Sequence, residues 1–165
     1  MPGRRSIDSL TLLGFSLLRL GDRERAERAI DEVRSLMPDY PAARFFQVEL
    51  AIRDGQYDLA EAKALDVLKG AAGDEPTIQQ SLGLLARSWD GRHAQESRLA
   101  TLGRFAGSFS QSPSSLAHLA REQFMADQGE EAIGTAERAL EIAPGHERAA
   151  RVMRRIGSAG WRRHQ

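Results

Sequence analysis

Cysteine is absent from these 165 residues, and with it disulfides, thiolate metal sites and cysteine nucleophiles, which suits a reducing compartment. Lysine is nearly absent: only Lys63 and Lys69 stand beside 21 arginines, a habit of GC-rich, bacterial coding. An excess of either charge is missing too. Twenty-three basic residues balance twenty-three acidic ones, so no whole-molecule field draws the chain to nucleic acid or anionic lipid. Nor does any stretch approach the 18 or so apolar residues of a membrane span. The opening "MPGRRSIDSLTLLGFSLL" has arginines before an apolar stretch, as a secretion signal does. Its apolar run is short, no A-x-A cleavage pattern follows, and residues 10, 13, 14, 17 and 20 keep helical spacing. The chain reads as soluble and cytoplasmic, long enough for one domain with a continuous core.

What is present repeats. Gly21 and Gly55 lie 34 residues apart, as do Ala26 and Ala60, and Val33 and Val67. Leu10, Leu13, Ala26 and Pro38 return 106 residues later as Leu116, Leu119, Ala132 and Pro144, three periods plus four residues. One register covers four units, 7–40, 41–74, 75–112 and 113–146, with the third lengthened and irregular. Each unit divides into two helical patterns around a break. In the first, Leu10, Leu13, Leu17 and Leu20 form one stripe, Gly21 and Asp22 end it, and Ala26, Ile30 and Val33 form the next. Prolines then stop the unit. Small residues at Gly14, Ala26, Ala60, Ala120 and Ala132 let paired helices approach closely. A single pair cannot bury its apolar face, so the units must stack. Residues 147–165 predict a capping helix and basic tail, with Ala149, Val152, Met153 and Ile156 covering the last unit and Arg148, Arg151, Arg154 and Arg155 facing water.

This pattern resembles the tetratricopeptide repeat (TPR) family, whose unit is a 34-residue helix–turn–helix. Gly14 matches its small residue at position 8, Ala26, Ala60 and Ala132 its alanine at position 20, and Pro38 and Pro144 its proline at position 32. The family's tryptophan at position 4 is replaced by Leu10, Arg44, Ile78 and Leu116, Ala72 stands for the second unit's proline, and Glu96 for the third unit's alanine, five after Gly91. The resemblance implies an all-α, right-handed solenoid of stacked repeats over residues 7–146, in a single domain.

Chemistry has little to stand on. His93, His118, His146 and His164 share no metal-ligand spacing with a carboxylate, and His118 reads as an exposed or satisfied helix histidine. Adjacent acids such as Glu130 and Glu131 point apart on a helix. "GAAGDEPT" (70–77) lacks the lysine of a phosphate loop and reads as a turn, and "GSFSQSPSS" (107–115) as a serine-rich linker with Ser112 or Ser114 starting a helix. No enzyme, cofactor or metal is expected. Residues 148–165 hold six arginines, no acid and Trp161, a composition that can grip phosphates and stack bases, which makes nucleic acid a minor alternative. Arginines at a helix end also complement its dipole.

By the resemblance, the first helix of each unit lines a concave groove. Family positions 2, 5, 9, 12 and 13 fall on Asp8, Thr11, Phe15, Leu18 and Arg19 in the first unit. In the second they fall on Ala42, Phe45, Glu49, Ile52 and Arg53, and in the fourth on Ser114, Ala117, Arg121, Phe124 and Met125. Phe15 and Phe45 are its expected apolar anchors, with packing as the competing role for Leu18 and Ile52. Phe15, Leu18, Phe45, Ile52 and Phe124 mixed with Arg19, Glu49, Arg53 and Arg121 suit a helical or extended segment of another protein. The chaperone-tail clamp of some TPR proteins, built of lysines and asparagines, is excluded, because the chain has no asparagine and both lysines lie in the second helix of unit two. "ARFFQVELAIRDGQYDLAEA" (43–62) is similar to the second-repeat region of TPR-type bacterial type III secretion chaperones. Two fewer residues separate its motifs here, and the extension before the first repeat is missing. The resulting expectation is a non-enzymatic secretion chaperone or a generic assembly scaffold. A homodimer is left open.

Overall fold

Several helix starts in this chain are set by short polar side chains and prolines. Ser6 Oγ accepts the Ser9 amide at 3.1 Å, Asp22 the Arg25 amide at 3.2 Å and Ser112 the Ser115 amide at 3.1 Å. Each bond satisfies an amide with no partner inside its own helix. Pro41 and Pro113 open two helices at the position where a missing amide is no loss. The computed structural model describes residues 6–90 and 95–158, of 95–97 the backbone alone. Among these are nine helices and no strand: α1 (Ile7–Arg19), α2 (Arg23–Leu36), α3 (Pro41–Arg53), α4 (Tyr57–Lys69), α5 (Glu75–Asp90), α6 (Gln95–Ser108), α7 (Pro113–Met125), α8 (Gly129–Ile142) and α9 (Glu147–Ser158).

The repeated glycines occupy equivalent turns. After α1, the Gly21 amide bonds to the Leu18 carbonyl at 3.2 Å and the Asp22 amide to the Leu17 carbonyl at 3.0 Å. Gly55 and Gln56 bond in the same way to Ile52 (3.1 Å) and Ala51 (2.9 Å), and Asp127 and Gln128 to Phe124 (3.2 Å) and Gln123 (2.9 Å). This pair of bonds closes a helix by turning one residue left-handed, with φ of 85° at Gly21, 69° at Gly55 and 62° at Asp127. Two periods after Gly21 the register falls on Trp89, which is buried inside α5. A bulky aromatic resists the left-handed turn. Accordingly α5 runs on to Asp90, 16 residues against 13 for α1, α3 and α7. Gly91 and the side chain of Glu96, the expected landmarks of that unit, lie outside the described residues.

Paired helices meet through small residues. A Cβ added at Gly14 would lie 2.7 Å from Ile30 Cγ1, and Ala26, Ala60, Ala120 and Ala132 are fully covered. The first helices also pack on one another in sequence, α1 on α3, α3 on α5, α5 on α7, with α9 following α7. Among the described residues four apolar clusters result. Phe15 packs against both the first (Leu10, Val33, Phe46) and the second (Val48, Leu68, Leu82), and Leu119 joins the second to the third (Leu116, Ala139). Ala149, Val152 and Ile156 are buried and Met153 packs beside the last two, so the apolar face of α9 lies against α7 and α8. The loops are shorter than the sequence suggests. Glu75, Pro76 and Thr77 already belong to α5, whose Thr77 amide is capped by Asp74 at 3.0 Å, and only residues 109–112 separate α6 from α7.

Candidate partner-binding cleft

Because α1, α3, α5, α7 and α9 lie side by side, their shared edge encloses a cleft of about 750 Å³. Its walls come from these five helices; among the described residues none of α2, α4, α6 or α8 lines it. Phe15 of α1 and Glu49 of α3 form one end. One face of α5 (Gln79, Gln80, Gly83, Ala86 and Arg87) forms the floor, and Arg121 of α7 and Arg148 of α9 the other end. Phe15 is held edge-on to Phe46, ring centroids 5.5 Å apart. A Cβ placed on Gly83 would meet nothing within 4 Å, so the floor is open there.

Charge is arranged unevenly along the cleft. Glu49 accepts from Arg87 at 2.5 and 3.0 Å and from Arg53 at 3.5 Å. Burial alone would raise its carboxyl; the Arg87 and Arg53 guanidiniums outweigh that and hold its pKa below the usual carboxylate value. Arg53 also donates to the Leu18 carbonyl at 2.9 Å, tying α3 to α1. Asp90 pairs with Arg98 at 3.4 Å, and Arg121 with the buried Glu122, which Arg98 approaches at 3.8 Å. Arg148 makes no ion pair or hydrogen bond among the described residues. Burial, and then the neighbouring Arg121 and Arg151, push its pKa below the ordinary arginine value.

The nine expected groove residues divide. Phe15, Glu49 and Arg121 line the cleft. Leu18 and Phe45 do not: each is 3% exposed and belongs to the core, because the next unit's helices cover the large apolar residues that face them. Ile52 packs half-buried on the second cluster and Phe124 on the fourth, while Arg53 works as the α1–α3 tie and Arg19 faces solvent at the end of α1. Of the remaining positions Ser114 and Ala117 are buried, and Asp8 accepts from Tyr40 Oη at 2.9 Å. Arg148 is a correction of another kind. Expected on the outer face of the cap, it turns into the cleft.

The expected groove leaves out α5, although the register reaches it. The offsets that give Asp8, Thr11, Phe15, Leu18 and Arg19 in the first unit give Pro76, Gln79, Gly83, Ala86 and Arg87 in the third, and all five line the cleft.

A serine and a histidine do meet, at the start of α7. Ser114 Oγ and His146 Nε2 are 3.2 Å apart, but His146 Nδ1 accepts the Ala149 amide at 3.4 Å. The ring proton therefore sits on Nε2 and points at the hydroxyl, so this histidine cannot take a proton from the serine. His118 is buried with Nε2 unpartnered, neither exposed nor satisfied, and burial, then Arg148, Arg121 and His146, push its pKa down to about 3. Among the described residues no three acidic or histidine side chains come together as a metal site, and no helix is long and apolar enough to cross a membrane. His93, His164 and Trp161 lie outside the described residues.

No protein-family model matches the chain, and no curated protein does. Solved structures do. MamA (residues 41 to the end) from Desulfovibrio magneticus RS-1 is 21% identical and superposes with a TM-score of 0.53 over 87% of this chain and 79% of its own. TTC0263, a thermophilic TPR protein of Thermus thermophilus, is 14% identical, with a TM-score of 0.58 over 92% of this chain and 84% of its own. The APC/C hetero-tetramer Cut9–Hcn1 gives 14% and 0.58 over 92% of this chain, which spans 30% of that one. The fold is that of the tetratricopeptide repeat proteins.

Proposed function

We propose that the protein is a non-enzymatic binding module that holds a helical or extended segment of a partner protein in the cleft, as a secretion chaperone or an assembly adaptor. The observation that carries this reading is the cleft itself: about 750 Å³, walled by five helices of one packed scaffold, with an aromatic ring, an open floor of amides and charges at both ends. Pre-formed concave surfaces of this mixed chemistry suit peptide and helix recognition. The likeness to secretion chaperones over residues 43–62 supports the chaperone form less directly. Its residues serve packing and turning here, Phe45, Phe46 and Ala60 in the core and Gly55 in the left-handed turn. The arginine tail supports nucleic acid weakly, since Arg148 lines the cleft and Arg151 pairs with Glu147 at 3.5 Å.

Gly83→Trp tests the reading. The new Cβ leaves the helix into open space on the cleft floor, where the indole would fill the cleft, and replacing a helical glycine favours folding by a few tenths to about 1 kcal/mol. The variant is expected to unfold no earlier than the native chain and to lose a partner captured from the native host, or a peptide selected from a random library, by tenfold or more, about 1.4 kcal/mol. Undiminished binding by a folded Gly83→Trp would move the site out of the cleft. An exported protein among the captured partners supports the chaperone form; components of a stable assembly support the adaptor.

A further inference from the structure

Among the described residues Arg148 is the one lining charge with no opposite charge beside it, and its surroundings explain why that matters. It stands half-buried at the α7–α9 end of the cleft. Among the described residues, the charged groups that act on it are cations, Arg121 from α7 and Arg151 from its own helix. Nearby acids are engaged elsewhere: Glu122 with Arg121 and Arg98, and Glu147 with Arg151. A cation partly withdrawn from water and set among other cations is poorly compensated, and an incoming anion recovers that lost interaction. At the far end of the cleft the opposite holds, since Glu49 already accepts two bonds from Arg87 and one from Arg53. Between the ends lie the apolar and amide surfaces of α5, which suit peptide backbone and uncharged side chains.

We propose that the segment bound in the cleft presents an acidic side chain, Asp or Glu, to Arg148, while its remainder lies along α5 towards Phe15. This rests on the protein-binding reading above and adds to it the chemistry and polarity of the occupant. A guanidinium takes a carboxylate through two parallel hydrogen bonds, which fixes the direction of the segment as well as its composition.

The test is selection of a displayed random dodecapeptide library on the native chain, Arg148→Gln and Arg148→Glu, with Gly83→Trp as the blocked control. The native chain is expected to select peptides with Asp or Glu at one fixed position, and the Gly83→Trp chain to select none of them. Arg148→Gln, which removes no partner, should unfold no earlier than the native chain, lose the preference at that position alone and bind the best peptide about tenfold more weakly. The peptide's own Glu→Gln version should then bind native and Arg148→Gln chains alike. Arg148→Glu should move the preference to Lys or Arg. A synthetic peptide amidated at its C-terminus should bind as well as the free acid, since a side chain supplies the charge. A common motif without an acid, an acid retained in the Arg148→Gln selection, or dependence on the free C-terminus overturns this proposal and leaves the cleft reading standing. Failure of the native chain to select any motif overturns both. Arg148-dependent binding of a single-stranded oligonucleotide of about 20 nucleotides, without acidic peptides, reassigns the site to phosphate and overturns the proposal.

Discussion

A buried histidine with an unpartnered nitrogen ties stability to pH. His118 stays neutral in the fold, its pKa down to about 3, because burial disfavours its charged form and Arg148 and His146 from the α8–α9 side and Arg121 on its own helix repel it. In the unfolded chain the same ring titrates near 6.5. Between about 3 and 6.5 the unfolded state therefore binds the proton more readily. The stability is complete above about pH 6.5 and drains away as pH falls through that window, at about 1.4 kcal/mol per unit. From pH 7 to 5 the native chain should lose about 2 kcal/mol in urea unfolding, and His118→Leu should be much flatter over the same range. An unchanged slope in the variant would place the loss on other groups. Glycines make a second residue-scale contrast. A Cβ meets nothing within 4 Å at either Gly55 or Gly83. Yet Gly55→Ala should destabilise by about 1 kcal/mol, because φ is 69°, while Gly83→Ala, inside α5, should stabilise by up to about 1 kcal/mol. Asp127→Gly should gain up to about 1 kcal/mol for the reason that Gly55→Ala loses it. Unfolding midpoints of the three variants check the signs.

At the scale of the helix, what could be read from the chain depended on whether its own unit kept the landmarks. The turns after α1 and α3 are legible as Gly21 and Gly55, and the turn after α7 from its register alone, although Asp127 replaces the glycine. Trp89 stands in that place in the third unit and lets α5 continue, which is why its helix ends could not be found by offset. The cleft follows the same division. Phe15, Glu49 and Arg121 were legible because a repeated helix presents the same face each time. Leu18 and Phe45 were not, because residue type alone does not tell an apolar side chain covered by the next unit from one left in the cleft. Arg148 was misread for want of a neighbour: whether an arginine on a last helix faces water or turns inward depends on how that helix crosses α7, a relation no local pattern contains.

Over the whole molecule, the first three apolar clusters are joined in a line, through Phe15 and then Leu119. A stack of this kind draws its stability from nearest neighbours, and α9 packs on α7 and α8. A chain ending at Gly145 removes Ala149, Val152 and Ile156 from the core and should lose about 3–5 kcal/mol in urea unfolding while scattering more light, through the exposed faces of α7 and α8. Equal midpoints for the short and full chains would mean that α9 closes nothing. The balance of 23 basic and 23 acidic residues has a consequence in time rather than energy. Without a net field, nothing at long range accelerates encounter, and a single half-buried guanidinium is felt only within a Debye length, about 8–10 Å. Partners of either charge therefore arrive at similar rates, and the choice between them falls to how long each one stays.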